Sequence, residues 1–135
     1  MNVSDFENHL KQLPGTTSNN AWGYTLFFYG TEQMLPFASL IDADTEQDNI
    51  SGLDREGVFR INIGVSAATF KKLFPEERKD MDYRELNVFQ PHPHYAAQKF
   101  ICILSPSGEK LDQTLAFIDE AYELAKGRAE RKGTA

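Results

Sequence analysis

The chain has 135 residues, 41% hydrophobic and 25% charged, with a formal net charge of -6 and a pI near 5.0. That length suits one domain with a real core, and the composition is that of a globular protein rather than a disordered one. The acidic balance argues against broad nucleic-acid binding, which leans on Lys and Arg to neutralise phosphates. The single cysteine, Cys102, excludes an intrachain disulfide and a Cys-based zinc cluster.

No apolar run approaches the ~20 residues needed to cross a bilayer. Met1-Asn2-Val3-Ser4-Asp5 has neither a basic nor an apolar leader region, so a cytoplasmic protein is the simplest expectation, with no membrane partner. Without repeats or a linker, one domain is expected over residues 1–127, followed by a flexible polar tail over 128–135.

In chain order, Ser4-Asp5-Phe6-Glu7 fits a capping box. Phe6, Leu10 and Leu13 then form one apolar stripe of a first helix, stopped by Pro14-Gly15. Thr16 to Asn20 reads as a polar loop. Tyr24-Thr25-Leu26-Phe27-Phe28-Tyr29 is β-prone and closed by Gly30; Phe37-Ala38-Ser39-Leu40-Ile41 reads as its antiparallel partner. A long acidic loop covers 42–56. Val58 to Ile63 alternates, with Phe59, Ile61 and Ile63 on one face and Arg60 and Asn62 on a polar one.

Ser66 offers an N-cap to a short helix with Phe70, Leu73 and Phe74 on its apolar face, ended by Pro75. Leu86 to Phe89 is a weakly signalled strand, and the prolines of Gln90 to Tyr95 argue against regular structure there. Lys99 to Leu104 is apolar on both faces, as a strand covered on both sides would be. Leu111, Leu115, Ile118, Tyr122 and Ala125 give the strongest helical stripe, ending near Gly127. The expected fold is α+β: a two-layer sandwich with the order α-β(3)-α-β(2)-α, an antiparallel five-stranded sheet and the helices on one face.

Two stretches carry a resemblance. Leu53-Asp54-Arg55-Glu56-Gly57-Val58-Phe59-Arg60-Ile61-Asn62-Ile63-Gly64 resembles the signature of a bacterial family known as domain of unknown function 6194. Pro91-His92-Pro93-His94-Tyr95, with the strand holding Cys102 and the turn at Ser105-Pro106, is similar to that family's second signature. The resemblance runs from about Phe37 to Ala125. The family commonly has a small apolar residue where this chain has His94, which speaks against a histidine pair. More distantly, Leu13-Pro14-Gly15, Trp22 and Ala121-Tyr122-Glu123-Leu124 look like the YjbR-like (MmcQ/YjbR) proteins. That resemblance implies a fold similar to secretion chaperones, and DNA binding only by fold analogy.

Several residues are candidates for chemistry. Asp42, Asp44, Glu46 and Asp48 are spaced by two and could converge on a hard cation, with Asp42, Asp44 and Asp48 the metal candidates. An EF-hand-like loop starting at Asp42 would need Gly and Glu where the chain has Gln47 and Leu53, so that pattern fails and a solvated acidic loop is the plainer reading. His92 and His94 would point to opposite faces of an extended segment, which disfavours joint metal binding. His92 alone could act as a general base, with Asp54 and Arg60 beside it. Arg55 or Arg60 could fork an anionic ligand, against a plainer role pairing with local acids. Trp22, Tyr24 and Tyr95 could line a cleft, and Cys102 reads as inert packing. No nucleotide-binding glycine motif or other cofactor signature is present.

Three function classes remain open at this level. The favoured one is a small binding module for a protein or small-molecule partner. A second is an enzyme or metal-binding protein built on His92, Asp54 and Arg60. The third is nucleic-acid binding through Lys71, Lys72, Arg78 and Lys79 around the second helix and Lys126, Arg128, Arg131 and Lys132 on the last.

Overall fold

The computed structural model describes residues 1–77 and 80–132. Arg78 and Lys79 of the basic group, and residues 133–135 of the expected tail, lie outside the described residues.

The first helix, α1 (Val3–Lys11), is started by a capping box two residues earlier than Ser4 suggests. Asn2 Oδ1 accepts the Asp5 N–H at 2.9 Å and the Asp5 carboxylate accepts the Asn2 N–H at 2.8 Å. From that start Phe6 and Leu10 are both fully buried.

The segment expected as a polar loop is the first strand. β1 (Thr16–Ala21) pairs antiparallel with β2 (Tyr24–Tyr29) in a register running from Thr16 opposite Tyr29 to Ala21 opposite Tyr24. Trp22 and Gly23, with φ of 53° and 85°, make the two-residue turn, the positive-φ geometry that matches strand twist in a tight hairpin. At the edge of a sheet a strand needs only one partner, so Thr, Ser and Asn suffice. The sheet therefore has six strands, not five. Its order is β1-β2-β3-β4-β6-β5, with β3 (Ala38–Ile41), β4 (Arg60–Gly64), β5 (Gln90–Pro91) and β6 (Phe100–Leu104), and every pairing is antiparallel.

β5 replaces the strand expected at Leu86 to Phe89. Its proline is tolerated because the strand is an edge with a free side. A short 3-10 turn at Ala96–Gln98 leads into β6.

Between β4 and β6 lies α2 (Ala67–Leu73), capped by Ser66, whose hydroxyl accepts the Thr69 N–H at 3.1 Å. The last helix, α3 (Gly108–Lys132), runs past Gly127, so the part of the tail expected from Arg128 is helical through Lys132. Ile118, Tyr122 and Ala125 are buried, and Leu111 and Leu115 pack against the same cluster. Phe6 and Leu10 of α1, Phe70 and Leu73 of α2 and the α3 stripe all meet one face of the sheet, formed by Phe27, Ala38, Leu40, Ile61, Ile63, Ile101 and Ile103. The Tyr122 hydroxyl donates to the Pro14 carbonyl at 2.5 Å, tying α3 to the end of α1. No helix among the described residues is long and apolar enough to cross a membrane.

Candidate ligand-binding site

Alternation sends every second strand residue to the side away from the helices. One row across the sheet there is Leu26, Ser39, Asn62, Cys102 and Gln90, each opposite the next; a neighbouring row holds Ile41, Arg60 and Leu104. This second face is polar in sequence yet dry in the structure, with Arg60 0%, Asn62 1% and Ser39 7% exposed. The 42–56 segment covers one end of it.

That segment is an ordered strap, not a solvated loop. Asp44 Oδ1 accepts the Leu53 N–H at 2.8 Å, and the Asp44 N–H donates to Asp54 at 3.1 Å. Leu53 packs with Ile41 and Leu104 in a second small core. Asp48, 2% exposed, reaches down to Arg60: Nη1 donates to Oδ1 at 3.0 Å and Nη2 to Oδ2 at 2.5 Å. Ser51 Oγ accepts a further Arg60 N–H at 3.1 Å, Asn62 Oδ1 accepts from Nε at 2.9 Å, and the Tyr24 hydroxyl donates to Asp48. Burial alone would raise the Asp48 carboxyl, but the hydrogen bonds from Arg60 and Tyr24 hold it below its ordinary range. Burial likewise works against the Arg60 charge, and Asp48 more than restores it.

The fork expected to hold an anionic ligand is thus spent inside the protein. Arg55 is spent too, on three carbonyls: Gly52 at 2.7 Å, Ser51 at 3.0 Å and Arg84 at 2.9 Å. It clips the strap to the segment before β5. Of the metal candidates, Asp42 is exposed, Asp44 holds the strap's own amide and Asp48 neutralises Arg60. Among the described residues no group of three or more His, Cys, Asp or Glu side chains could hold a metal ion.

His92 is 2% exposed, and its Nδ1 accepts two backbone N–H groups, from His94 at 3.0 Å and Tyr95 at 3.1 Å. The proton of the neutral ring therefore sits on Nε2. Burial and the nearby Arg60 charge lower its pKa from 6.5 to about 3. With its acceptor nitrogen filled by backbone amides, the ring presents its Nε2 N–H as a donor, while the Asp54 carboxylate named beside it in the sequence accepts the Asp44 N–H. Asp54 is exposed and engaged within the strap. His94 is also exposed, its ring 5.9 Å from that of His92. Cys102 is fully buried and its thiol is pushed up to about 12 by burial, in keeping with inert packing.

What the strap leaves uncovered is a cleft of about 480 Å³. Its floor is Leu26, Phe28, Ser39, Asn62 and Phe100, and its walls come from Trp22 and Tyr24, from Met34, Leu35 and Pro36, and from His92, Tyr95 and Gln98. Trp22, Met34, Leu35 and Tyr95, four of the large hydrophobic side chains that the protein leaves exposed, all stand on this one rim. The hairpin turn is held against the strap, for a Cβ at Gly23 would lie 2.7 Å from Thr45 Cγ2. None of the described residues that line the cleft is Asp, Glu, Lys or Arg, in a chain with 25% charged residues.

The structure thus joins Trp22, Tyr24, His92 and Tyr95 of the sequence candidates and leaves Asp42, Asp44, Asp54, Arg55 and His94 outside. Ser39, Asn62, Met34, Leu35 and Gln98 were not legible as site residues. Only Met34-Leu35-Pro36, an apolar run in a turn, carried a signal. A second depression of about 740 Å³ lies between α2 and the 80–93 segment, with Glu76, Glu77, Asp82 and Glu85 in its wall.

Comparison with curated proteins finds no match. A protein from Pseudomonas syringae, solved as a crystal structure by the Northeast Structural Genomics Consortium, is similar in fold, with a TM-score of 0.61 at 19% identity over 93% of this chain and 99% of that one. A family model matches residues 1–134, and the chain belongs to that family, DUF6194, a family of unknown function.

Proposed function

We propose that this chain is a binding domain whose ligand site is the uncharged aromatic cleft on the strap side of the sheet. The observation that carries the reading is the gathering of Trp22, Met34, Leu35 and Tyr95, all exposed, around one cavity over a buried polar floor. A volume of about 480 Å³ falls within the roughly 300–1,000 Å³ of small-molecule sites. Scattered surface apolar groups need no explanation, but four large ones on one rim do. Trp22 also occupies a turn position with φ of 53°, where Asn or Gly is the favoured residue, so its ring stands there at a backbone cost.

The order helix, strands, helix, two strands, helix also supports the resemblance to YjbR-like proteins, with β1 as an added edge strand. Binding of Nile red, an uncharged planar dye, tests the reading. One equivalent should bind with a blue-shifted emission, and Trp22→Asn together with Tyr95→Ser should abolish the signal without lowering the unfolding midpoint. Dye emission unchanged by the unmodified chain would count against the cleft.

A further inference from the structure

Resting on that cleft, the hydrogen bonds beneath it point to the chemistry of its occupant. Asn62 Oδ1 is taken by Arg60 Nε, which fixes the amide so that its NH2 group faces Ser39; one N–H donates to Ser39 Oγ at 3.0 Å. The Ser39 hydroxyl, having accepted that bond, keeps its own proton to give. His92 has Nδ1 filled by two backbone amides, which leaves Nε2 as its N–H nitrogen. Each of these three polar side chains thus has an acceptor atom already occupied within the protein and keeps an N–H or O–H to donate.

Charge is handled in the opposite way. Arg60, the cation that lies under the floor, is fully buried and neutralised by Asp48, and no charged side chain among the described residues lines the cleft. An anionic ligand would have to shed water with no countercharge to receive it, at a cost far above that of losing one neutral hydrogen bond. A cation would find aromatic faces but no carboxylate among the described lining residues to neutralise it. The remaining surface is flat and aromatic, with Trp22 and Tyr95 on the rim and Phe28 and Phe100 below.

We infer that the cleft takes an uncharged, planar ring compound that turns a carbonyl-type acceptor toward Ser39, Asn62 and His92. A lactone, lactam, quinone-like or flavone-like ring has this chemistry. Nothing covalent is involved, since the site holds neither an activated nucleophile nor a free base.

Three probes of matched size test this on the full, unmodified chain, read by two-dimensional amide NMR and by light scattering. Coumarin offers a ring with a carbonyl acceptor, naphthalene the ring alone, and 1-naphthoate a ring with an anionic acceptor. Coumarin should shift the resonances of residues 22, 39, 62 and 95 and bind about three- to tenfold more tightly than naphthalene, the margin of a neutral hydrogen bond or two. 1-Naphthoate should bind weakest. Ser39→Ala should narrow the gap between coumarin and naphthalene while leaving naphthalene unchanged; because the three-probe order is measured without a substitution, a Ser39→Ala that fails to fold leaves the test intact. If naphthalene or 1-naphthoate equals or exceeds coumarin at the same resonances, the acceptor inference falls and the cleft stands. If no probe moves those resonances, or if the chain dimerises through Trp22 and the probes merely compete with that contact, the cleft reading falls as well.

Discussion

Asp48, from the middle of the strap, grips Arg60 of β4 through both carboxylate oxygens, 12 residues away in sequence and out of contact with water. This pair ties a strongly acidic connection down over one end of a sheet face, and it engages Asn62 and Tyr24 at the edge of the cleft. Removing one member leaves an uncompensated buried charge. Asp48→Ala is expected to cost about 3–5 kcal/mol, and Arg60→Met, which leaves Asp48 buried, a similar amount. The double substitution Asp48→Leu with Arg60→Met should cost clearly less than the sum. Urea unfolding of all three variants measures the coupling; additive losses would mean the pair is not a unit.

Stability should fall on acidification earlier than carboxylates alone would cause. The folded-state pKa of His92 is depressed from 6.5 to about 3. Between those values the unfolded chain binds a proton that the folded one does not. The stabilisation is therefore present above pH 6.5 and is lost as pH drops, with a slope approaching about 1.4 kcal/mol per pH unit. Asp48, also depressed, adds loss of the same sign below the ordinary carboxylate range. Denaturation midpoints at pH 7, 6, 5 and 4 should decline in the unmodified chain and decline less in His92→Gln. Parallel curves for the two would remove His92 from the account.

Trp22→Asn should leave stability unchanged or raise it by up to about 1 kcal/mol, because Asn accepts the left-handed turn conformation and Trp gains little from its exposed position. The same change should weaken binding of planar probes. A gain in melting temperature paired with a loss of affinity is the expected signature; a marked loss of stability would show that the indole is structural.

Arg55→Lys preserves charge but not the fork that reaches the carbonyls of Gly52, Ser51 and Arg84. A loss of about 1 kcal/mol is expected. Hydrogen exchange should quicken at the amides of Asp48 and Leu53, which the strap protects, while the amides of β4 and β6 keep their rates. Uniform acceleration across the sheet would instead indicate global destabilisation.

The helices, and the strands at 24–29, 38–41, 60–64 and 100–104, were legible because their apolar periodicity is a local property of the chain. Ser66 announced its helix, and the Leu111 to Ala125 stripe announced the face it buries. β1 was not legible, since an edge strand of Thr, Ser and Asn carries no periodic apolar signal, and its hairpin depends on a Trp-Gly turn that is unusual for its first residue. The site shows the same division more sharply. Trp22, Tyr24, His92 and Tyr95 could be named as aromatic or titratable residues, but the sequence could not say that they face one cavity while His94 does not. Arg60 and Asp48 read as a strand's polar face and a solvated loop; each is polar by type, and only the folding of one over the other made both of them interior. Local patterning thus determined which elements form. The tertiary structure decided which charges cancel, and so left an uncharged cleft on that face, because cancellation depends on distances between residues that are remote along the chain.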